Sequence, residues 1–112
     1  MASIVDLTSR NCKPCTSGTP PLTESEAREL LQQLDAWELS GNKIGKTFTF
    51  KNYYQVLAFV NAVAWMTHRE DHHPDMTLGY NKCSVEYSTH AVGGLSENDF
   101  ICAAKVDALL KI

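Results

Sequence analysis

Residues 37–50 read WELSGNKIGKTFTF, and this stretch indicates the fold class. Polarity alternates from Trp37 to Ser40, and Gly41-Asn42 can then form a tight turn. After the turn, the bulky apolar side chains share one parity: Ile44, Phe48 and Phe50. Two alternating segments joined by a short turn predict an antiparallel hairpin with one buried face. Lys46 has the parity of the buried residues and is the one residue that does not fit this pattern.

A second hairpin is predicted nearer the C-terminus. Thr77 to Tyr80 has the pattern of a short strand, and Asn81-Lys82 can turn the chain. The apolar and polar positions then alternate: Cys83, Val85 and Tyr87 against Ser84, Glu86 and Ser88. Because hairpins pair their strands antiparallel, the four strands predict one mostly antiparallel sheet.

Helices are predicted before and after the hairpins. The first begins at the capping-box sequence Thr23-Glu-Ser-Glu26, and its apolar residues have helical spacing: Ala27, Leu30, Leu31 and Leu34. The last follows the break at Gly93-Gly94 and is capped by Ser96. Its predicted inner side consists of Phe100, Ile101, Ala104 and Ala108.

A third helix lies between the hairpins, from its N-cap Asn52 to about Arg69. Its apolar face is wide: Tyr53, Val56, Leu57, Phe59, Val60, Ala62, Val63, Ala64 and Met66. A face this wide predicts the central helix of the fold. The order of helix, two strands, helix, two strands, helix predicts an α+β domain of two layers. These are a four-stranded, mostly antiparallel sheet and three helices on one of its faces.

The first 21 residues are predicted to be a flexible leader, and residues 22–112 to form the domain. Ser, Thr, Pro and Gly are frequent in the leader, which therefore cannot bury enough apolar surface to order itself. Its Cys12-Lys-Pro-Cys15 sequence could be half of a zinc site or a redox pair. However, Cys83 and Cys102 are 19 residues apart and do not supply a second close pair. The leader is predicted to be exposed and dispensable.

Composition excludes several classes of function. A net charge of -3 over 112 residues leaves no basic patch that would bind a phosphate backbone, so no direct contact with nucleic acid is predicted. The N-terminus lacks the charged and apolar regions of a secretory signal. The most apolar stretch, Val56 to Met66, falls short of the ~20 residues that span a bilayer. A cytoplasmic protein without membrane contact is predicted.

The four histidines are the strongest indication of chemistry, because they all lie between His68 and His90. Imidazole titrates near neutral pH, which suits general acid and base catalysis. Pro74 disfavours helical geometry at His73 and so holds the His72-His73 pair at the end of the long helix. His90 has the parity opposite to the buried residues of its strand and is predicted to face a ligand. A histidine near a helix end can also serve only to bind the last carbonyl groups.

Metal binding is the alternative chemistry for these residues. His68 and His72 have the i, i+4 spacing of zinc ligands on a helix. In the zincin motif, however, Glu directly follows the first His, whereas here Arg69 does so and Glu70 comes one place later. A metal site is therefore not the preferred interpretation, and no cofactor is predicted.

Several short motifs together resemble the pterin-4a-carbinolamine dehydratase family: Asp71-His72-His73-Pro74-Asp75, Tyr80-Asn81-Lys82, Ser88-Thr89-His90 and Gly94-Leu95-Ser96-Glu97-Asn98-Asp99. The resemblance extends from about Leu22 to Leu110 and includes Trp37, Phe50-Lys51-Asn52-Tyr53 and Phe59-Val60-Asn61. Bacterial members often carry a cysteine-containing leader. The family fold is the two-layer domain that the residue pattern predicts.

The resemblance implies a reaction and a set of site residues. A 4a-hydroxytetrahydropterin would lose water to give the quinonoid dihydropterin, at a site formed by His72, His73 and His90 with Asp99 as a supporting acid. His72 would be an acid or base on the pterin ring, His90 the second proton-transfer group, and His73 mainly a binding residue. The family usually has Glu where this chain has His68, so the tuning of the site could differ.

The same resemblance leaves alternatives open for partners. Animal members also act as dimerisation partners of a transcription factor, so a non-catalytic interaction module on the same fold is the second hypothesis. A pterin-related assembly protein is the third. Exposed sheet edges favour self-association, and a homodimer or homotetramer is predicted.

Overall fold

The computed structural model describes residues 7–16 and 18–111. Its three helices are α1 (Glu24–Leu31), α2 (Tyr53–Glu70) and α3 (Glu97–Leu109). Its four strands are β1 (Glu38–Ser40), β2 (Lys43–Thr49), β3 (Asp75–Leu78) and β4 (Lys82–Tyr87). Single 3-10 turns at Leu7–Ser9 and His90–Val92 precede α1 and α3. The predicted order of helices and strands is confirmed.

The strands form one sheet in the order β1-β2-β4-β3, and every neighbouring pair is antiparallel. Ile44 lies opposite Tyr87, and Phe48 lies opposite Cys83, with all four side chains buried. On the other face, the hydroxyl groups of Thr47 and Ser84 are 2.9 Å apart. Because one face is apolar and covered while the other carries polar side chains, the predicted two-layer α+β fold is confirmed.

Lys46 fits the buried face of the sheet through its ammonium group. Its Nζ lies 2.9 Å from Oδ1 of Asp107 on α3 and donates a hydrogen bond to the carbonyl oxygen of Asp35 at 2.7 Å. Asp107 also accepts a 3.0 Å hydrogen bond from Nε1 of Trp37. The charge of Lys46 is thus paired where the apolar pattern alone predicted a misfit.

The predicted helix starts are confirmed. The Thr23 side chain accepts a hydrogen bond from the Glu26 N–H at 3.1 Å, and Asn52 accepts one from the Gln55 N–H at 2.9 Å. These contacts satisfy backbone donors that have no partner inside the first turn of a helix.

Two elements, α1 and β3, have bounds that differ from the prediction. Leu34 lies beyond the end of α1, although it packs against the core. Strand β3 begins at Asp75 and ends at Leu78, whereas Thr77 to Tyr80 was predicted. The Gly79 N–H donates to the Lys82 carbonyl at 2.9 Å, so the turn begins earlier than expected. Pro74 ends the preceding segment, and the strand starts directly after it.

The prediction that the middle helix is the central one is wrong. Only one side of α2 is buried, at Val56, Phe59, Val63 and Thr67. Tyr53 is 40% exposed and Trp65 is 68% exposed. Helix α3 is buried much more completely, at Asn98 to Ala104 and at Val106. The breadth of an apolar face therefore did not reveal which helix the fold encloses.

Part of the leader packs against α3 and closes its second side. Leu7 is only 3% exposed and belongs to the hydrophobic core, against which Cys12 also packs. The Nζ of Lys105 on α3 donates to the Thr8 carbonyl at 3.1 Å, and Arg10 forms an ion pair with Glu97. The prediction of an exposed tail is thus wrong for Leu7 and Cys12, because α3 offers apolar surface that covers them. The division of the chain at residue 22 stays a prediction.

Candidate active site

A pocket of about 570 Å³ lies at the C-terminal end of α2, where the predicted histidines are found. Its walls come from the end of α2 and the turn after it, the chain that follows β4, and the leader. The lining includes Cys12, Lys13, Glu70, His72, His73, Ser88, His90 and Asn98. A volume of this size is typical of small-molecule sites.

His72 is positioned by the way α2 ends. Asp71 adopts the left-handed conformation with φ 55° and ψ 41°, and the His72 N–H donates to the Thr67 carbonyl at 3.2 Å. The chain thereby leaves the helix axis directly before the His72-His73 pair. The His72 ring stacks on Tyr87 of β4, with 5.4 Å between the ring centroids and 19° between the planes.

Asp99 holds the other edge of the His72 ring. Its Oδ1 lies 2.6 Å from Nε2 of His72, and its side chain is fully buried. Its Oδ2 accepts hydrogen bonds from the Thr89 hydroxyl at 2.8 Å and from the Ser96 N–H at 2.9 Å. Asp99 therefore caps the first turn of α3 and contacts a candidate catalytic histidine at the same time.

The contact with Asp99 determines which nitrogen of His72 can react. A carboxylate only accepts hydrogen bonds, so Nε2 carries a proton and Nδ1 is the nitrogen left for a ligand. Burial by itself lowers the pKa of His72, but the hydrogen bond and negative charge of Asp99 outweigh it and raise the pKa above its ordinary value. At a given pH, the protonated form of His72 is therefore more populated than that of an ordinary imidazole.

His73 and His90 also line the pocket. Nδ1 of His73 donates to the Pro74 carbonyl at 3.2 Å, so its Nε2 is left for other contacts. His90 opens the 3-10 turn after β4 and is exposed, on the side that strand parity predicted. The pocket thus brings together His72, His73 and His90, with Asp99 behind His72.

His68 does not belong to this constellation. It is exposed on α2, where its ring centroid lies 6.4 Å from that of Trp65, and it is not part of the pocket lining.

In the described ranges 7–16 and 18–111, no group of three or more His, Cys, Asp or Glu residues is arranged to hold a metal ion. No helix among the described residues is long and apolar enough to cross a membrane.

The leader forms a wall of the pocket, which the sequence pattern did not indicate. The Cys12 N–H donates to Oε1 of Glu70 at 2.8 Å. Asn98 accepts a hydrogen bond from the Lys13 N–H at 3.0 Å and donates one to the Lys13 carbonyl at 2.6 Å. The leader is thus bound by backbone hydrogen bonds to two helices.

Glu70 binds the leader as an anion. Burial raises the pKa of Glu70, but the Cys12 N–H and the nearby Lys105 ammonium outweigh this effect and lower the pKa.

The sequence analysis did not identify three residues that support the pocket: Glu70, Asn98 and Tyr87. Asn98 lies within one of the motifs quoted above and Tyr87 directly precedes another, but local patterns do not show what such residues contact.

The chain is similar to known proteins over most of its length. The family model described as pterin 4 alpha carbinolamine dehydratase matches residues 20–109. A Nitrosomonas eutropha protein named for pterin-4-alpha-carbinolamine dehydratase is 67% identical over 111 residues, covering 98% of each chain. A protein of the same name from Nitrosospira multiformis is 64% identical, covering 98% of this chain and 97% of its own.

Two solved structures are also similar. A transcriptional coactivator/pterin dehydratase from Brucella melitensis has a TM-score of 0.76 and 34% identity, covering 80% of this chain and 97% of its own. A pterin dehydratase-like protein described as a RuBisCO assembly factor of the alpha-carboxysome has a TM-score of 0.54 and 27% identity, covering 65% of this chain and 84% of its own. The chain belongs to the pterin 4 alpha carbinolamine dehydratase family.

Proposed function

We propose that the chain dehydrates a 4a-hydroxytetrahydropterin to the quinonoid dihydropterin and water. The observation that carries this proposal is the 2.6 Å contact between His72 and the fully buried Asp99 at the pocket wall. The family supplies the reaction, and the contact supplies the acid that the reaction needs.

His72 is the general acid in this proposal. Hydroxide is a poor leaving group, so the 4a oxygen must receive a proton as its bond to carbon breaks. The protonated His72 ring donates this proton from Nδ1, because Nε2 is held by Asp99. Asp99 stabilises the positive ring through its opposite charge and so keeps the acid form available at neutral pH.

His90 is the base that completes the reaction. As water leaves, the pterin ring must lose a proton from a nitrogen atom, and the exposed His90 at the pocket is free to accept it. His72 gives one proton and His90 takes one, so proton exchange with solvent returns both histidines to their starting protonation states. His73, whose Nδ1 is bound to the Pro74 carbonyl, contributes Nε2 to substrate binding.

Single replacements of the histidines test the assignment. His72→Ala and His90→Ala should each slow carbinolamine decay by about 10²-fold or more, because each removes a positioned proton-transfer group. His68→Ala is the matched control and should keep the activity of the unaltered protein, since His68 lies outside the pocket lining. The decay of chemically generated 4a-carbinolamine is followed by absorbance.

An unaltered protein without activity in this assay would remove the enzyme proposal. It would favour the non-catalytic interaction module instead. Equal losses in all three variants would also contradict the assignment, because His68 has no proton-transfer role in it.

Self-association is part of the proposal. β1 and β3 are the edge strands of the sheet, and Leu78 on β3 is 40% exposed. Edge strands carry backbone groups that another chain can pair with. Light scattering should therefore show a dimer or tetramer, and a monomer at assay concentration would contradict this part. A cytoplasmic location stays a prediction from the sequence.

A further inference from the structure

Two cysteine sulfurs meet beside the histidines of the pocket. Sγ of Cys12 in the leader lies 3.4 Å from Sγ of Cys102 on α3, although 90 residues separate them in the chain. Cys102 is fully buried, whereas Cys12 is partly exposed and lines the pocket. Cys12 can therefore be reached from the pocket, and the buried Cys102 sulfur lies next to the Cys12 sulfur.

The approach of the two sulfurs is maintained by the backbone of the leader. The Cys12 N–H is bound to Glu70, and both backbone groups of Lys13 are bound to Asn98. These bonds hold the Cys12 backbone next to Cys102 on α3, so the two sulfurs stay within reach of each other. The Cys15 sulfur has different contacts: it accepts a hydrogen bond from the Asn98 side-chain amide at 3.3 Å and donates one to the Lys13 carbonyl at 3.9 Å.

The electrostatics of the pair favour a thiol next to a thiolate. A hydrogen bond from Cys12 lowers the pKa of Cys102, and the positive charge of His72 contributes to the same shift, against the effect of burial. The same hydrogen bond and burial raise the pKa of Cys12. Cys102 can therefore accept the proton of Cys12 when the Cys12 sulfur reacts.

We propose that Cys12 and Cys102 form a reversible disulfide that tethers the leader to α3 at the pocket wall. The oxidant is a hydroperoxide. The Cys12 proton passes to the Cys102 thiolate, and the Cys12 thiolate formed in this way attacks the terminal oxygen of the hydroperoxide. The O–O bond breaks, and the leaving alkoxide or hydroxide takes a proton from solvent to become an alcohol or water. The sulfur of Cys102 then attacks the Cys12 sulfenic acid and releases water. One thiol, one thiolate, one proton from solvent and one hydroperoxide thus give one disulfide, one alcohol or water, and one further water.

The tether changes both the leader and the pocket. It closes a covalent loop of about 90 residues, which restricts the unfolded chain strongly. It also fixes the wall that Cys12 and Lys13 contribute to the pocket. The Cys102 thiol donates to the His72 backbone carbonyl at 3.7 Å, so oxidation removes this donor next to His72.

Peptide mass mapping after mild hydrogen peroxide treatment of the full chain tests the proposal. The unaltered protein should contain a Cys12–Cys102 crosslink that dithiothreitol reverses. The melting temperature of the oxidised protein should rise by about 5 °C or more. Cys15→Ser is the matched control and should still form the crosslink, whereas Cys12→Ser should form none and should melt at the same temperature before and after treatment.

Three outcomes would overturn the proposal. These are a crosslink between Cys12 and Cys15, irreversible oxidation of Cys12 without a crosslink, or no reaction of Cys12. The decisive replacement is made at the partly exposed Cys12 rather than the buried Cys102, so that loss of the crosslink reports loss of the thiol and not loss of the fold.

Discussion

Helices α2 and α3 both pack on the same sheet, yet they are enclosed to different degrees. Helix α2 has the wider apolar face in the sequence, but Tyr53 on that face is 40% exposed and Ala64 is also exposed. Helix α3 has a narrower predicted face and is buried from Asn98 to Ala104. The leader accounts for the difference, because Leu7 and Cys12 cover a side of α3 that the sheet does not reach.

This difference has a functional consequence. A helix covered on two sides can bury charged and polar groups that have fixed partners, and Asp99 and Asn98 are such groups on α3. Asp99 points toward His72, while Asn98 points toward the leader. The half-exposed α2 contributes Arg69 and Glu70 of its last turn to the pocket, and the residues that follow it contribute His72 and His73.

The largest expected effect comes from Phe100→Ala, because Phe100 is fully buried on α3. The free energy of unfolding should fall by about 3–5 kcal/mol, from lost apolar burial and the cavity left behind. Trp65→Ala removes a larger side chain from the exposed face of α2 and should change stability by no more than about 0.5 kcal/mol. Urea denaturation of both variants measures the difference, and similar losses would break the comparison.

The next effect concerns the leader. Leu7→Ala should lower the free energy of unfolding by about 2–3 kcal/mol, because Leu7 is 3% exposed in the core. The same replacement at Leu110, which is 48% exposed at the end of α3, is the control and should cost about 0.5 kcal/mol or less. If thermal and urea unfolding showed no cost at Leu7, the leader would be dispensable, as its composition suggested.

Asp99→Asn should show a smaller loss that depends on pH. The raised pKa of His72 means that its pairing with Asp99 stabilises the fold fully below about pH 6.5 and less as pH rises through the raised value. Losing this charge-assisted contact should cost about 1.5 kcal/mol at low pH. Turnover should fall at least ~10-fold, equivalent to ~1.4 kcal/mol of barrier.

Urea denaturation and turnover at several pH values measure this effect on one preparation. The stability difference between unaltered protein and Asp99→Asn should shrink as pH increases. A pH-independent loss with unchanged turnover would confine Asp99 to capping α3.

The smallest effect is expected for Tyr87→Phe. The Tyr87 hydroxyl is buried without a hydrogen-bond partner among the described residues, whereas its ring stacks on His72. Removing the hydroxyl should change stability by about 0.5 kcal/mol or less, because only a weak contact with the Cys102 thiol is lost. Tyr87→Leu is the contrasting variant and should reduce turnover by loosening the His72 ring. Equal turnover in the two variants would show that stacking does not position His72.

Most of the fold could be predicted from local patterns. The alternation around Ile44 and Phe48 identified the first hairpin, and the N-caps at Thr23, Asn52 and Ser96 marked the helix starts. These patterns are reliable because side-chain direction repeats every second residue in strands and every 3.6 residues in helices. The candidate residues His72, His73 and His90 do meet at one pocket, although their catalytic roles stay predictions.

Only the tertiary structure decided which distant groups meet. His72 and Asp99 are 27 residues apart, and Cys12 and Cys102 are 90 apart, so no local period relates them. The composition of the leader predicted that it could not order itself, but in residues 7–16 the partners come from α3, which supplies apolar surface and hydrogen-bond groups. The sequence by itself determined the elements and the reactive side chains, because those follow from local geometry. Packing between elements that are remote in the chain decided three further features: which helix is enclosed, that Asp99 contacts His72, and that the leader forms a wall of the pocket. Local patterns do not show these features, because the burial of a residue depends on which other parts of the chain pack over it.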